Sequence, residues 1–354
     1  MEETASITSA SSHQLLEEEA PASEDPFEET LHPSCRCHRP HCFCCSRILP
    51  FPPAPIPPGE LLFDPFSQAQ LLISFSFRFI SVSLSSVMRM RKCHWLESPP
   101  LVCAHGGDSS RAAPNTMDAY RIAIQSHVDC IEIDVSRSLD GTLFALHDRD
   151  LQRMLGNSTA KVGFMSTNEI NKLKAEFKLG LGSSEHKIPT IHEALVFVSG
   201  SVKQVVLDVK VGPPSFEKDL AMDVLSVVQK SGCKNCLIWA KSDVLVHNIM
   251  NLKEDAKVGY IVLKDFVTGA TSNLLRMKNA VVVGVYHPLI DNRLVQILHG
   301  SRKKVYAWTV DDADSMRKLL FEQVDAIVTG HPSLLQNVMQ ELETECFAEG
   351  FSLP

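Results

Sequence analysis

Apolar runs rich in β-branched residues alternate with helix-like stretches from residue 101 to the C-terminal region. The apolar runs lie at positions 101–105, 130–136, 204–210, 236–240, 257–263, 281–287, 304–310 and 326–330. Helix-like stretches between the later runs lie at Ser215–Lys230, Asp243–Met250, Asn292–Leu298, Ala313–Phe321 and Ser333–Leu342. Eight strands that alternate with helices predict an α/β fold, a parallel (β/α)8 TIM barrel over residues 101–345.

The segment 142–190 is too long for a single crossover helix between the second and third strands. It follows the dipeptide Asp140-Gly141, a turn signal, and holds the run T-L-F-A-L-H and two short helical patterns. The sequence therefore predicts an insertion after strand 2 of the barrel.

Polar residues that carry chemistry stand where the predicted strands end. His105 ends strand 1, and Glu132 and Asp134 lie in the second half of strand 2, two positions apart and hence on one face. The further candidates are His147 on the insertion, Asp208 and Lys210 at strand 3, His287 at strand 6 and Trp308 at strand 7. Functional residues of TIM barrels lie at this rim, so two histidines with several carboxylates indicate metal-assisted acid/base chemistry. The alternative is a solvated, charged rim without function.

The composition is that of a globular protein with a large core, at 44% hydrophobic and 21% charged residues. The formal net charge is −8, but the first thirty residues hold nine acidic side chains and no Lys or Arg. Removing these nine negative charges leaves about +1 for the rest of the chain. We therefore expect no nucleic-acid partner for the barrel.

Residues 1–69 form a predicted disordered region of three compositions. An acidic stretch comes first, then a Cys/His-rich tract at 32–45, then the Pro-rich run F-P-P-A-P-I-P-P-G at 51–59. The Cys/His tract lacks the paired spacing of structural zinc sites. A metal site, palmitoylation and an unstructured tract without function all remain open for it, the last being the default.

Residues 70–92 form a candidate membrane anchor, made of an apolar stretch at 70–88 and the basic run R-M-R-K at 89–92. Arg78 at its centre and the period-two alternation of apolar and polar residues favour instead an amphipathic strand or an interfacial segment. The acidic, apolar-poor N-terminus predicts no cleavable signal peptide. We expect membrane association through this single weak anchor, on a side that the pattern leaves open.

Smaller signals lie within the barrel region. Asn157 begins an N-S-T glycosylation sequon, which has meaning only for a lumenal or extracellular barrel. Cys233 and Cys236 form a C-x-x-C pair that predicts two packed thiols or at most a local disulfide. Cys103 and Cys130 lie inside predicted strands, where we expect small core residues.

Taken together in order and spacing, several motifs resemble those of the glycerophosphodiester phosphodiesterase family over residues 101–345. That family shows HR, PENT, E-x-D on strand 2, a D-G turn, HD, E-x-K on strand 3 and A-W-T-V. The corresponding positions here are His105, Asn115-Thr116, Glu132-Ile133-Asp134, Asp140-Gly141, His147-Asp148, Asp208-Val209-Lys210 and Ala307-Trp308-Thr309-Val310. The chain looks like a divergent, membrane-anchored branch of this family.

The resemblance implies hydrolysis of deacylated phospholipids, the glycerophosphodiesters, to sn-glycerol 3-phosphate and a free alcohol. It implies a divalent cation, Ca²⁺ or Mg²⁺, held by the carboxylates of Glu132, Asp134 and Asp208, and hard cations do prefer oxygen ligands. His105 and His147 would then act as base toward the nucleophile and acid toward the leaving group.

The same resemblance implies roles for two residues in holding the substrate. Lys210 would pair with the phosphate, and Trp308 would offer an apolar wall to the glycerol. His287 is a further candidate for substrate contact, because V-Y-H-P-L-I-D places it at the rim.

Three departures from the family pattern bear on activity. Gly106 stands in place of the HR arginine, the glutamate of PENT is missing, and strand 3 carries the shorter Asp208. Arg111, Lys210 or Lys241 could replace the lost arginine charge. We favour an active hydrolase; the alternatives are a catalytically weak or silent lipid-headgroup-binding barrel and a lysophospholipase D-like enzyme.

Overall fold

The computed structural model describes residues 92–177, 184–264 and 272–353. The predicted disordered region and all but the last residue of the candidate anchor lie outside these ranges. None of the helices in the described ranges combines the length and apolar character that crossing a membrane requires.

Strands and helices alternate along most of the described chain, as the pattern predicts. The strands are β1 Leu101–His105, β2 Cys130–Arg137, β3 Leu143–Ala145, β4 Lys174–Phe177, β5 Ser184–Lys187, β6 Gln204–Val209, β7 Cys236–Ala240, β8 Val258–Val262, β9 Val282–Tyr286, β10 Lys304–Trp308 and β11 Ala326–Thr329. The helices are α1 Met117–Gln125, α2 Asp148–Leu155, α3 Thr167–Ile170, α4 Ile191–Val198, α5 Leu220–Ser231, α6 Asp243–Leu252, α7 Asn292–Gly300, α8 Ala313–Phe321 and α9 Pro332–Ala348. Side chains cap α1, α4, α6, α7 and α8 by accepting a backbone N–H bond, and these caps are Thr116, Thr190, Ser242, Asp291 and Asp312.

Eight parallel strands close into a barrel, which confirms the predicted fold. The order is β1-β11-β10-β9-β8-β7-β6-β2, and β1 also pairs with β2. The register pairs His105 with Glu132 and Asp134 with Asp208 on neighbouring strands. The closure therefore brings residues that are far apart in sequence to one rim.

Apolar side chains fill both the barrel interior and the layer between strands and helices. The interior cluster includes Trp239 and Tyr306, whose rings meet edge to face at a centroid distance of 6.3 Å. Gly284 makes room for Trp239, because a Cβ added there would lie 2.8 Å from the indole ring. The interior is thus a packed core rather than a pore.

The insertion after β2 lies within the predicted segment 142–190 but holds more elements than the sequence predicts. β3 pairs antiparallel with β2, and α2 and α3 match the two short helical patterns. The hairpin of β4 and β5 is an addition that the sequence did not predict. It was missed because its two strands are short and carry charged residues, so neither shows an apolar run.

Element bounds differ from the predicted ones at several ends. Helix α5 begins at Leu220 rather than at Ser215, after the Pro213-Pro214 pair, and α9 continues to Ala348. His287 does not end β9 but begins a 3-10 turn, since Pro288 has no N–H to donate to a sheet.

Three disulfides join the cysteines of the described ranges. Cys103 and Cys130, register partners on β1 and β2, are fully buried core residues as expected, and they also form a disulfide that the sequence analysis did not predict. Cys233 and Cys236 form the local disulfide that the sequence allowed. The third, Cys93–Cys346, ties the segment before β1 to the end of α9.

Replacing Cys93 with serine is expected to lower the free energy of unfolding by about 2–5 kcal/mol, because the lost cross-link constrains the unfolded chain. The two cysteines of the Cys93–Cys346 disulfide are separated by 253 residues. Cys233→Ser is the matched control, because its sequence separation is 3 and a short closed loop constrains less. Denaturant titration of the non-reduced variants measures both; equal losses would contradict the expectation.

Candidate active site

A cluster of three buried carboxylates lies at the C-terminal ends of β2 and β6. Glu132, Asp134 and Asp208 each offer one oxygen, and these oxygens all lie within 4.8 Å of one another. Oxygens that bind one Mg²⁺ or Ca²⁺ at about 2.0–2.6 Å lie at most about 5 Å apart. The spacing and the all-oxygen donor set therefore fit a hard divalent cation.

Lys210 lies between two of these carboxylates. Its Nζ donates a hydrogen bond to Asp208 Oδ2 at 2.6 Å and lies 3.0 Å from Asp134 Oδ1. Asp134 Oδ1 is buried and has no well-aligned hydrogen bond from the described residues, so it keeps capacity for a further ligand. Three carboxylates and one ammonium group leave two negative charges, which suits a divalent cation.

The surroundings of Glu132 and Asp134 shift the pKa values of the two carboxyl groups in opposite directions. Burial, together with the charges of Asp134 and Asp208, raises the pKa of Glu132 well above its usual value. Burial alone would also raise the pKa of Asp134. Lys210, followed by His147, outweighs that effect and holds the pKa of Asp134 well below its usual value. A cation among these groups would favour the ionised form of all of them.

Asn115 fixes the position of Asp134. Its Nδ2 donates to Asp134 Oδ2 at 2.7 Å, and its Oδ1 accepts the Asp134 backbone N–H at 3.1 Å and the Tyr120 hydroxyl at 3.3 Å. Asn115 has φ of 60°, a left-handed conformation that asparagine tolerates better than most residues. The sequence motif singled out Asn115 but gave it no role, and the structure shows it orienting a carboxylate.

Gly106, which stands where the family pattern has an arginine, has a structural role of its own in the loop after β1. Its N–H donates to Glu132 Oε2 at 2.9 Å, and its φ is +63°. A Cβ added there would lie 2.9 Å from Pro114 Cβ and 3.2 Å from the Asn115 nitrogen. This backbone path therefore leaves no unstrained place for an arginine side chain at position 106.

The two candidate histidines have different surroundings. His105 Nε2 lies 4.0 Å from Glu132 Oε2, and burial, followed by the charge of Arg149, lowers the pKa of His105. His147 caps helix α2, and its Nδ1 accepts the Arg149 backbone N–H at 3.0 Å. In a neutral ring the proton of His147 is therefore on Nε2.

Arg149 is a site residue that the sequence did not indicate. Its positive charge lowers the pKa of both His105 and Asp134. Of the cations expected to replace the missing arginine, Arg111 is 57% exposed and lies 3.9 Å from Asp108. One sequence signal could have indicated Arg149. It directly follows the His147-Asp148 motif, in the first turn of a helix.

Aromatic side chains line another part of the rim. The Trp308 and Tyr286 rings lie 5.8 Å apart, and those of Tyr286 and His287 lie 5.6 Å apart. Trp308 Nε1 is buried and has no acceptor among the described residues. Burial lowers the pKa of His287, and no contact described joins it to the carboxylate cluster.

Of the residues expected in the site, the structure brings Glu132, Asp134, Asp208 and Lys210 into one cluster, with His105 beside it. The charge of His147 also acts on Asp134. Trp308 and His287 lie at the ends of neighbouring strands of the same rim, as expected from the strand order.

Comparison with known proteins points to one family. The model of the glycerophosphoryl diester phosphodiesterase family matches residues 105–334. Glycerophosphodiester phosphodiesterase GDPD4 of Arabidopsis thaliana is 57% identical over 265 residues, which cover 74% of this chain and 80% of that protein. A glycerophosphodiester phosphodiesterase of Caldanaerobacter subterraneus is 27% identical over 68% of this chain and 98% of its own length.

Solved structures show the same fold at low sequence identity. A phosphodiesterase of Oleispira antarctica, in complex with the product sn-glycerol-3-phosphate, superposes with a TM-score of 0.59 at 23% identity, over 68% of this chain and 97% of that one. A putative glycerophosphoryl diester phosphodiesterase of Silicibacter pomeroyi gives a TM-score of 0.61 at 18% identity, over 72% of this chain and 98% of that one.

Proposed function

This chain belongs to the glycerophosphoryl diester phosphodiesterase family, and on that premise we infer that it hydrolyses glycerophosphodiesters to sn-glycerol 3-phosphate and a free alcohol. It is an enzyme, a phosphoric diester hydrolase that acts in glycerophospholipid metabolism. The observation that carries this inference is the cluster of Glu132, Asp134 and Asp208 beside His105 at the rim of the barrel.

The carboxylate cluster is proposed to hold a divalent cation, Ca²⁺ or Mg²⁺. When bound, the cation supplies positive charge to the phosphoryl oxygens on which negative charge develops. Lys210 contributes a second positive charge on the same side, and the buried surroundings strengthen both interactions. Asn115 keeps Asp134 oriented toward the shared centre.

The two histidines are proposed to move the protons. His105, whose pKa is lowered by burial, takes a proton from the attacking water molecule. A P–O bond forms to the water oxygen and the P–O bond to the alcohol breaks. His147, protonated on both ring nitrogens at this step, gives its Nε2 proton to the departing alkoxide and is left neutral, and after proton exchange with solvent its Nδ1 accepts the Arg149 N–H. The proton that His105 took up then returns to His147 through solvent. The net reaction consumes one water and leaves glycerol 3-phosphate and the alcohol.

Arg149 is proposed to bind the phosphate in place of the missing HR arginine. Arg149→Ala is expected to raise KM for glycerophosphocholine by about 10- to 150-fold, since a hydrogen bond to a charged group contributes about 1.5–3 kcal/mol. The backbone N–H that bonds His147 is retained, so kcat should change less. Steady-state kinetics measures both. Arg302→Ala, an exposed position before β10, is the control; equal KM in the two variants would remove Arg149 from this role.

The aromatic rim is proposed to contact the organic part of the substrate. Trp308 would pack against the glycerol, and its buried Nε1 can donate a hydrogen bond to an oxygen of the substrate. His287 lies 5.6 Å from Tyr286 by ring centroid, within the same aromatic group. The choice of alcohol is expected to depend on these residues.

Membrane association through residues 70–92 is a further part of the proposal. The described chain begins just before β1, at the end of the barrel opposite the catalytic rim, and Lys92 pairs there with Glu345 and Glu349 of the α9 C-terminal turn. We propose that an anchor joined at that end would hold the rim away from the bilayer. This favours a water-soluble glycerophosphodiester over a lysolipid embedded in the membrane.

A comparison of two substrates tests this choice. Glycerophosphocholine is expected to release glycerol 3-phosphate in a coupled assay, with a kcat/KM at least tenfold above that for choline release from lysophosphatidylcholine. The reverse ratio would support the lysophospholipase D-like alternative. Saturable binding of glycerophosphocholine without any product would support the silent binding barrel, which the missing arginine motivates.

A further inference from the structure

All six cysteines in the described ranges are joined in disulfides. They pair as Cys93–Cys346, Cys103–Cys130 and Cys233–Cys236. Disulfides form and persist in oxidising compartments and are rare where thiols are kept reduced. Complete pairing of the barrel cysteines therefore indicates maturation in an oxidising compartment.

The single N-x-S/T sequon of the sequence lies on the surface of the same barrel. Asn157, Ser158 and Thr159 are all exposed, in the turn that follows Gly156 at the end of helix α2. Asn157 Oδ1 accepts bonds from the Thr159 N–H at 3.0 Å and hydroxyl at 2.8 Å. A Cβ added at Gly156 would meet no atom within 4 Å, so the turn borders open space.

The sequon also lies away from the catalytic rim. Helix α2 begins after His147 and has eight residues, so Asn157 is separated from the site by about 12 Å of helix. A large group on Asn157 would therefore leave the rim open while projecting into solvent.

We propose that the barrel lies on the lumenal or extracellular side of a membrane and that Asn157 carries an N-linked glycan. The donor is a lipid-linked oligosaccharyl pyrophosphate: the Asn157 Nδ2–sugar bond forms, the sugar–pyrophosphate bond breaks, and the amide nitrogen loses one proton. The disulfides form by exchange with a protein disulfide, which is reduced to two thiols as each pair of cysteines is oxidised.

One sequence feature opposes this orientation. The basic run at 89–92 lies on the barrel side of the apolar stretch, and positive charge favours the cytoplasmic side. The rule is a bias set by a small number of basic residues near the membrane segment. One of the basic residues here, Lys92, forms ion pairs with Glu345 and Glu349 of the barrel. The three disulfides and the exposed sequon point independently to the other side.

Expression of the full chain in plant cells, the source of the 57% identical relative, tests the proposal. Treatment of the denatured protein with an amidase that removes N-glycans is expected to lower its apparent mass by one glycan. Asn157→Gln and Thr159→Ala should lack this shift, and Thr159→Ser should keep it. In parallel, a maleimide-polymer reagent counts thiols before and after reduction, and reduction is expected to expose at least six more.

Two results would overturn the proposal, and neither depends on catalytic activity. One is a wild-type chain with no glycan to remove. The other is a thiol count that reduction leaves unchanged. Folding of the sequon variants is checked by their thermal unfolding, which should stay close to that of the wild type because the three side chains are exposed and the affected hydrogen bonds join only Asn157 and Thr159.

Discussion

His105→Ala is expected to lower kcat for glycerophosphocholine hydrolysis by about 10²- to 10⁴-fold, with little change in KM. A positioned general base contributes that range, and alanine removes it without altering the carboxylate cluster. His105 lies beside the cluster that is proposed to hold the cation, with Nε2 4.0 Å from Glu132 Oε2. Steady-state kinetics at saturating cation measures the effect.

His247→Ala is the matched control for this prediction, because His247 is exposed on the outer helix α6. It should keep the wild-type kcat within a factor of two. Retention of more than about a tenth of the wild-type kcat in His105→Ala would contradict the assignment of the base.

Asp208→Asn is expected to weaken cation binding by about 100-fold or more. Mutation of a residue that only contacts a metal ligand already costs about 10–100-fold in affinity, and Asp208 is proposed to be a ligand itself. The substitution keeps the size of the side chain but removes one negative charge, and it also takes the charged partner from Lys210. Calorimetric titration with Mg²⁺ and with Ca²⁺ measures affinity directly. The cation concentration for half-maximal activity should rise in parallel.

Two further variants sharpen this second prediction. Asp208→Glu installs the residue of the family pattern and should keep cation binding, since the longer side chain still reaches the cluster. Glu343→Gln, exposed on α9 near its C-terminal end, removes the same charge far from the rim and should change nothing. Equal cation affinity of Asp208→Asn and wild type would exclude Asp208 as a ligand.

The barrel and the residue types at its rim could be predicted because both depend on patterns within short stretches of sequence. Buried parallel strands read as continuous apolar runs, and their polar ends stand out against that background. Glu132 and Asp134 share a face because strand side chains alternate, and strand order brings Asp208 alongside. No detail of loop geometry was needed for this part.

What the sequence could not show depends on loop paths and distant pairings. The cross-link of Cys93 with Cys346 joins positions 253 residues apart, and no local pattern marks such a pair. Gly106 was interpreted as a lost phosphate contact. In the structure its N–H bonds Glu132, and its left-handed φ explains why a glycine stands there.

Arg149 shows the same limit within the site. It follows His147 and Asp148 directly, at the start of α2, and its charge acts on the pKa of both His105 and Asp134. The sequence instead offered Arg111, Lys210 and Lys241 as replacements for the arginine, because a linear pattern does not say which loop faces the rim.

The central claim is that the carboxylate cluster and the histidines together hydrolyse glycerophosphodiesters in a cation-dependent way. The most direct measurement is release of glycerol 3-phosphate from glycerophosphocholine by the full chain, with and without a chelator. We predict that the chelator abolishes release and that excess Mg²⁺ or Ca²⁺ restores it. Release that continues unchanged in the chelator, or no release with any divalent cation, would contradict the account.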